Sequence, residues 1–147
     1  MMDSSLINVL LADDDKDDCL FFQDALEELP LSTVFTTVND GEQLMQFLLA
    51  NIEHLPNILF LDLNMPRKNG FECLLEIKKN EKLKELPVVI YSTSFDQEAV
   101  NILYNNGARY YIRKPAEFSK LKDVIHHALN LVAQTIPQPS KEFVLQP

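Results

Sequence analysis

The chain has 147 residues, 46% hydrophobic and 24% charged, with 13 Lys and Arg against 22 Asp and Glu, a formal net charge of −9. That length suits one folded domain, with no separate output, kinase or DNA-binding module expected beside it. The composition argues against disorder, and the acidic balance argues against gripping nucleic acid or an anionic membrane surface. The charge is also uneven. Asp13, Asp14, Asp15, Asp17 and Asp18 share one six-residue window, and setting them aside leaves 17 acids against 13 bases.

In chain order, Ile7–Ala12 is a short branched apolar run that ends in acids and reads as a buried strand. The segment Lys16–Leu29 has apolar residues at 19, 22, 25, 26 and 29, a helical stripe closed by Pro30. Thr33–Val38 is β-branched and strand-like. Asp40 and Gly41 open a second helix carrying Leu44, Phe47 and Leu48. Asn57–Leu61 is another buried strand, again ending at an acid, Asp62. Asn69 and Gly70 lead into a helix with Phe71, Leu74, Leu75 and Ile77. Pro87–Tyr91 is the fourth strand, followed by Ser92, Thr93 and Ser94. Phe95–Asn106 reads as a fourth helix stopped by Gly107. Arg109–Arg113 is the fifth strand, closed by Lys114 and Pro115, and Glu117–Ala133 is the last helix.

Five strands alternating with five helices predict a doubly wound parallel α/β sheet with helices on both faces. The right-handed crossover rule makes the order 2-1-3-4-5 the leading topology, a flavodoxin-like fold. The domain is expected over residues 1–134. The tail 135–147 contains three prolines; disorder is its default reading, and docking of Phe143, Val144 and Leu145 on the same molecule or on a dimer partner is the alternative. The start, Met1 to Leu11, has no basic residue before its apolar run, so no signal peptide is expected. No apolar run approaches the ~20 residues of a membrane helix. Two cysteines do not make a disulfide framework; Cys19 and Cys73 read as small core residues. A cytoplasmic protein is expected.

The carboxyl ends of the strands carry the chemistry. The first strand offers Asp13 and Asp14, the third Asp62, the fourth Ser92 and the fifth Lys114. In the 2-1-3-4-5 order the first and third strands are neighbours, so three carboxylates converge beside a hydroxyl and an ammonium. Such carboxylates repel one another unless a cation compensates. Mg²⁺ suits the set, because it retains waters and needs only one or two carboxylates. A cation, a lysine and a hydroxyl together suit a phosphoryl group, and a carboxylate can accept one as an acyl phosphate. A calcium loop is excluded: Asp18 stands where its turn glycine belongs and Asp24 where its glutamate belongs. Asp15, Asp17 and Asp18 read as a solvated helix start, since acids suit the positive end of the helix dipole. His126 and His127 are adjacent and cannot share one helix face as paired ligands; they read as solvent-side or partner-facing.

The segments LLADDD, LFLDLNMPRKNG, LPVVIYSTS and GARYYIRKP together resemble the receiver domain of bacterial two-component response regulators, over about residues 6–133. The resemblance implies a single-domain response regulator, not an enzyme in the ordinary sense, that takes part in its own phosphorylation and dephosphorylation. It implies Asp62 as phosphoacceptor, and Asp13, Asp14, Asp62 and the backbone carbonyl of Asn64 as the Mg²⁺ site. Ser92 and Lys114 would contact the phosphoryl group, and Ser92 with Tyr111 would form the switch. Pro115 would follow a cis peptide bond. Many relatives carry Phe after the Lys-Pro pair, where this chain has Ala116. The tuning positions two beyond Asp62 and Ser92 are Asn64 and Ser94, neither a carboxylate, so acyl-phosphate hydrolysis is expected not to be among the fastest of the family.

The implied partners are a histidine kinase, of phytochrome type by the longer span between Asp14 and Asp62 and the C-terminal extension, or a histidine phosphotransfer protein in a relay, together with a downstream target. A homodimer through the fourth helix, fifth strand and fifth helix is a further arrangement the resemblance allows. Two rivals are a haloacid-dehalogenase-like phosphatase, which needs a second Asp where Asn64 stands, and a phosphorylation-independent adaptor, which the complete acidic set opposes.

Overall fold

The computed structural model describes residues 6–134 and 142–147. In chain order its elements are β1 Leu6–Ala12, α1 Lys16–Glu27, β2 Ser32–Val38, α2 Gly41–Ala50, β3 Ile58–Leu61 and α3 Gly70–Lys79. They continue with β4 Val88–Ser92, α4 Gln97–Asn105, β5 Tyr110–Arg113, α5 Phe118–Ala133 and β6 Val144–Leu145. Every strand pairing is parallel and the order is β2-β1-β3-β4-β5-β6.

Alternate strand residues feed two cores, as a sheet covered on both faces requires. Leu10, Leu59 and Ile90 pack with Leu44 and Leu48 of α2, Leu74 and Ile77 of α3, and Leu103 of α4. Val9, Phe60 and Tyr91 pack with Phe22 of α1 and with Leu121 and Ile125 of α5. The second core is rich in rings: Phe22 stacks on Phe35 and meets Phe60 and Tyr91 edge-on. Both cysteines are buried in these cores, and burial pushes the Cys19 thiol up to about 11 and the Cys73 thiol up to about 12. They are inert small side chains rather than redox centres.

The helices α1, α2 and α3 begin on side-chain caps that supply acceptors to otherwise unpaired N–H groups. Asp15 accepts from the N–H groups of Asp17 and Asp18, and Asp40 from that of Gln43. Asn69 and Glu72 form a reciprocal capping box on α3. Gly107, with φ 97°, stops α4 in the left-handed conformation expected of it.

Three expectations are corrected. The sheet has six strands rather than five, because Val144 and Leu145 return beside Tyr111 and Ile112. The helix expected from Phe95 starts at Gln97, since Asp96 takes the N-cap position with extended backbone. The Lys114–Pro115 peptide is trans, with no cis bond among the described residues; the ~0.5–1 kcal/mol trans preference of X–Pro bonds prevails here. Of the tail expected over 135–147, residues 135–141 lie outside the described residues. Among the described residues no helix is long and apolar enough to cross a membrane.

Candidate functional site

β1, β3 and β5 each end one residue before a charged side chain, and the parallel register sets these ends side by side. The Asp62 N–H donates to the carbonyl of Ala12 at 3.0 Å, and the Lys114 N–H to that of Ser92 at 2.8 Å. The ladder hydrogen bonds thus continue one step past the strands and carry the functional residues into line. Asp13 and Ser92 are fully buried, Asp62 is nearly so, and Asp14 is exposed.

The Lys114 ammonium sits among these carboxylates. It donates to Asp13 Oδ2 at 2.8 Å and lies 3.6 Å from Asp62 Oδ2. It also donates to Asp18 Oδ2 at 2.8 Å. Asp18 therefore belongs to the site, not to a merely solvated helix start, and this corrects its reading from sequence. The first turn of α1, fixed by the Asp15 cap, brings Asp18 over the strand ends. Asp15 itself is the N-cap and Asp17 is exposed, both consistent with a solvated helix start.

Local backbone holds the carboxylates in place. Asp13 Oδ1 accepts from the N–H of Asp15 at 2.9 Å, and Asp62 Oδ1 from the N–H of Asn64 at 3.3 Å. The loop after Asp62 folds back so tightly that a Cβ at Gly70 would lie 2.2 Å from the Asp62 carbonyl oxygen. Only glycine fits there, and the Gly70 N–H closes the turn on the Leu63 carbonyl at 3.0 Å.

The electrostatics follow from burial. Desolvation pushes the Asp62 carboxyl up to about 6; Lys114 pulls against the rise and Asp13 adds to it. Burial also raises Asp13, against its hydrogen bond from Lys114. For Lys114, burial pulls the ammonium down, but hydrogen bonds to Asp13 and Asp18 outweigh it and hold it above the ordinary lysine range. One ammonium thus faces more carboxylates than it can neutralise.

Asp13, Asp14 and Asp62 each offer a carboxylate oxygen, and these atoms all lie within 4.8 Å of one another. An all-oxygen set of this kind fits a hard divalent cation. Residual negative charge in a buried pocket is the physical condition that such an ion relieves.

The remaining predicted residues lie beside this cluster. Ser92 Oγ accepts from the Ser94 N–H at 3.2 Å. Tyr111 is buried on β5, its hydroxyl donates to the Ser94 carbonyl, and its ring meets Phe95 edge-on at 5.9 Å. His126 is half-buried and His127 exposed on α5.

A fold with this topology and this acidic edge defines a receiver. The model of the response regulator receiver domain matches residues 9–126, and the chain belongs to that family, whose members are signalling proteins of two-component systems. The response regulator Rcp1 of Synechocystis is 31% identical over 136 residues, covering 90% of this chain and 92% of that one. The structure of phosphorylated RcpA, a cyanobacterial phytochrome response regulator, superposes with a TM-score of 0.79 at 33% identity, covering 91% of this chain and 99% of that one. The Mn²⁺-bound form of Rcp1 superposes at 0.77 with 30% identity, covering 91% and 99%. Response regulator RPA3017, from red-light signalling in R. palustris, superposes at 0.80 with 27% identity, covering 92% and 99%.

Proposed function

We propose that this chain is a phosphorylation switch in which Asp62 accepts a phosphoryl group from a phosphohistidine of a partner kinase. The observation that carries the reading is the convergence of Asp62 with Lys114 and with the carboxylates of Asp13 and Asp14 at the strand ends. An Asp62 oxygen attacks phosphorus in line, the P–N bond breaks, and the imidazole leaves and takes a proton from solvent. The product is an acyl phosphate on Asp62. Asp62 needs no general base, since above pH 6 its carboxylate is already ionised.

Asp13, Asp14, Asp62 and the Asn64 carbonyl would hold Mg²⁺, which would supply positive charge to neutralise the transferring phosphoryl oxygens. Lys114 supplies the second positive charge to those oxygens and keeps Asp13 in position. The Ser92 hydroxyl, at the neighbouring strand end, turns toward the bound phosphoryl group, and Tyr111 follows the change through Ser94. The consequence is a two-state surface over α4, β5 and α5 that a target protein reads. Phytochrome-type kinases are the partners this reading favours, because RcpA is a phytochrome response regulator and RPA3017 serves red-light signalling. With Asn64 and Ser94 at the tuning positions, no carboxylate there activates a water, and acyl-phosphate hydrolysis is not among the fastest of the family.

Incubation with a labelled small phosphodonor and Mg²⁺ tests the assignment. Label is expected on the wild-type chain and lost, by more than about a hundredfold, from Asp62→Asn. Uptake by Asp62→Asn at the wild-type rate overturns it.

A further inference from the structure

β6 covers the outer edge of β5 with very little structure. It contributes two register pairs, Tyr111 with Val144 and Ile112 with Leu145, where β4 contributes four on the other side of β5. Leu145 is buried, while Phe143 and Val144 are only partly so. A hollow of about 190 Å³ lies beside it, lined by Phe95, Arg113, Val144, Leu145, Gln146 and Pro147. Short pairing and incomplete packing place this edge at the low-stability end of the fold.

The same short segment is tied to the proposed switch. The Tyr111 N–H donates to the Phe143 carbonyl at 3.0 Å. The Phe143 ring meets Tyr104 of α4 edge-on at 5.2 Å and lies 6.5 Å from the Tyr111 ring. On its far side Tyr111 is held by Phe95 and by its hydroxyl on the Ser94 carbonyl. Ser94 in turn donates its N–H to the Ser92 hydroxyl. A continuous set of contacts therefore runs from Ser92 through Ser94 and Tyr111 to Phe143.

We infer that Phe143–Leu145 is a displaceable strand, a resident occupant of the α4–β5 output surface, released when Tyr111 changes position. When Ser92 turns to a phosphoryl group its bond from Ser94 is lost, the Ser94 carbonyl shifts, and the Tyr111 ring leaves the seat against which Phe143 packs. The uncovered β5 edge and the Tyr104 face then fit a partner that supplies an extended apolar segment, since that is what they hold at rest. The inference rests on the phosphoacceptor reading of Asp62.

The chain has no tryptophan, so the substitution Phe143→Trp provides a single fluorescent reporter. Beryllofluoride with Mg²⁺ serves as the phosphoryl mimic, and its binding is read independently by ¹⁹F resonances that vanish in Asp62→Ala. The mimic is expected to red-shift the emission of the introduced indole and to raise its quenching by acrylamide about twofold or more. Hydrogen exchange of residues 142–147 in the unsubstituted chain is expected to accelerate in parallel, which guards against an indole that fails to seat. Tyr111→Phe, lacking the bond to Ser94, is expected to show the faster exchange without the mimic. Bound mimic with unchanged emission and unchanged exchange overturns the inference and leaves the phosphoacceptor reading intact. Protection retained together with a doubled mass in sedimentation also overturns it, because a second copy then holds the segment. Absence of the ¹⁹F signals overturns the phosphoacceptor reading, and the inference with it.

Discussion

At the centre of the sheet, Asp13 and Asp62 stand on strands that are paired on both sides, β1 with seven register pairs to β2 and four to β3. At its outer edge, Val144–Leu145 pairs with one neighbour over two residues. The central region has a well-determined backbone and an unfavourable charge balance, with two buried carboxylates and one ammonium between them. The edge has favourable chemistry, with Phe143, Val144 and Leu145 set against the apolar cores, but little contact. The contrast suits the division of work that the proposed switch requires. Under that proposal, the site that takes a cation and a phosphoryl group is held stiff and left short of positive charge, so that ligands complete it. The segment proposed to move is held by few contacts, so that a small shift would release it.

The largest expected effect is at the centre. Lys114→Met removes the ammonium between Asp13, Asp18 and Asp62 and leaves buried carboxylates without a partner, which costs about 3–5 kcal/mol in metal-free buffer. Urea unfolding with and without millimolar Mg²⁺ checks this. Much of the loss is expected to return with Mg²⁺, since the cation takes over the neutralisation. A variant as stable as the wild type in chelator breaks the picture of a charge-deficient centre.

A smaller effect is expected from Asp62→Asn. The folded-state carboxyl of Asp62 titrates near 6, above its ordinary value of 3.8. Its contribution to stability is therefore full below about pH 4 and lost as the pH rises through about 6. Without metal, Asp62→Asn is expected to be more stable than the wild type by about 2 kcal/mol at pH 7.5, with the gap closing toward pH 4. Thermal unfolding of the two chains across that range measures it. The same titration makes cation affinity fall as the pH drops below about 6, because the bound ion requires the ionised form.

The smallest effect is expected at the edge. A buried Leu→Ala change in a rigid core costs about 2–5 kcal/mol. For Leu145→Ala the cost is expected to be about 1 kcal/mol, because the two-residue strand can detach instead of leaving a cavity. A loss of about 3 kcal/mol or more in global unfolding, as a rigid core site gives, would erase the distinction between the regions and make β6 an integral strand.

How much of this is legible in the sequence depends on distance along the chain. The strands β1, β3 and β4 stand out as continuous apolar runs, because a sheet covered on both faces accepts nothing else. Asp13, Asp14, Asp62, Ser92 and Lys114 are legible for a related reason: each stands at or just past the end of such a run, and a parallel sheet lines those ends up. Asp18 escapes a local reading because its partner, Lys114, is 96 residues away, and an acid in the first turn of a helix is fully accounted for by the helix dipole. The fourth helix falls short of Phe95, whose ring is drawn to Tyr111 on β5 instead.

By itself, the sequence determined the alternation of strands and helices, the two-sided burial of the sheet and the set of charged residues at its carboxyl edge. These depend on local periodicity and on the fixed geometry of parallel pairing. The tertiary structure alone decided that Asp18 joins Lys114 and that Phe143–Leu145 closes the sheet beside Tyr111. Those outcomes turn on contacts between segments far apart in sequence, where a few side chains compete for one partner and no local pattern records which of them wins.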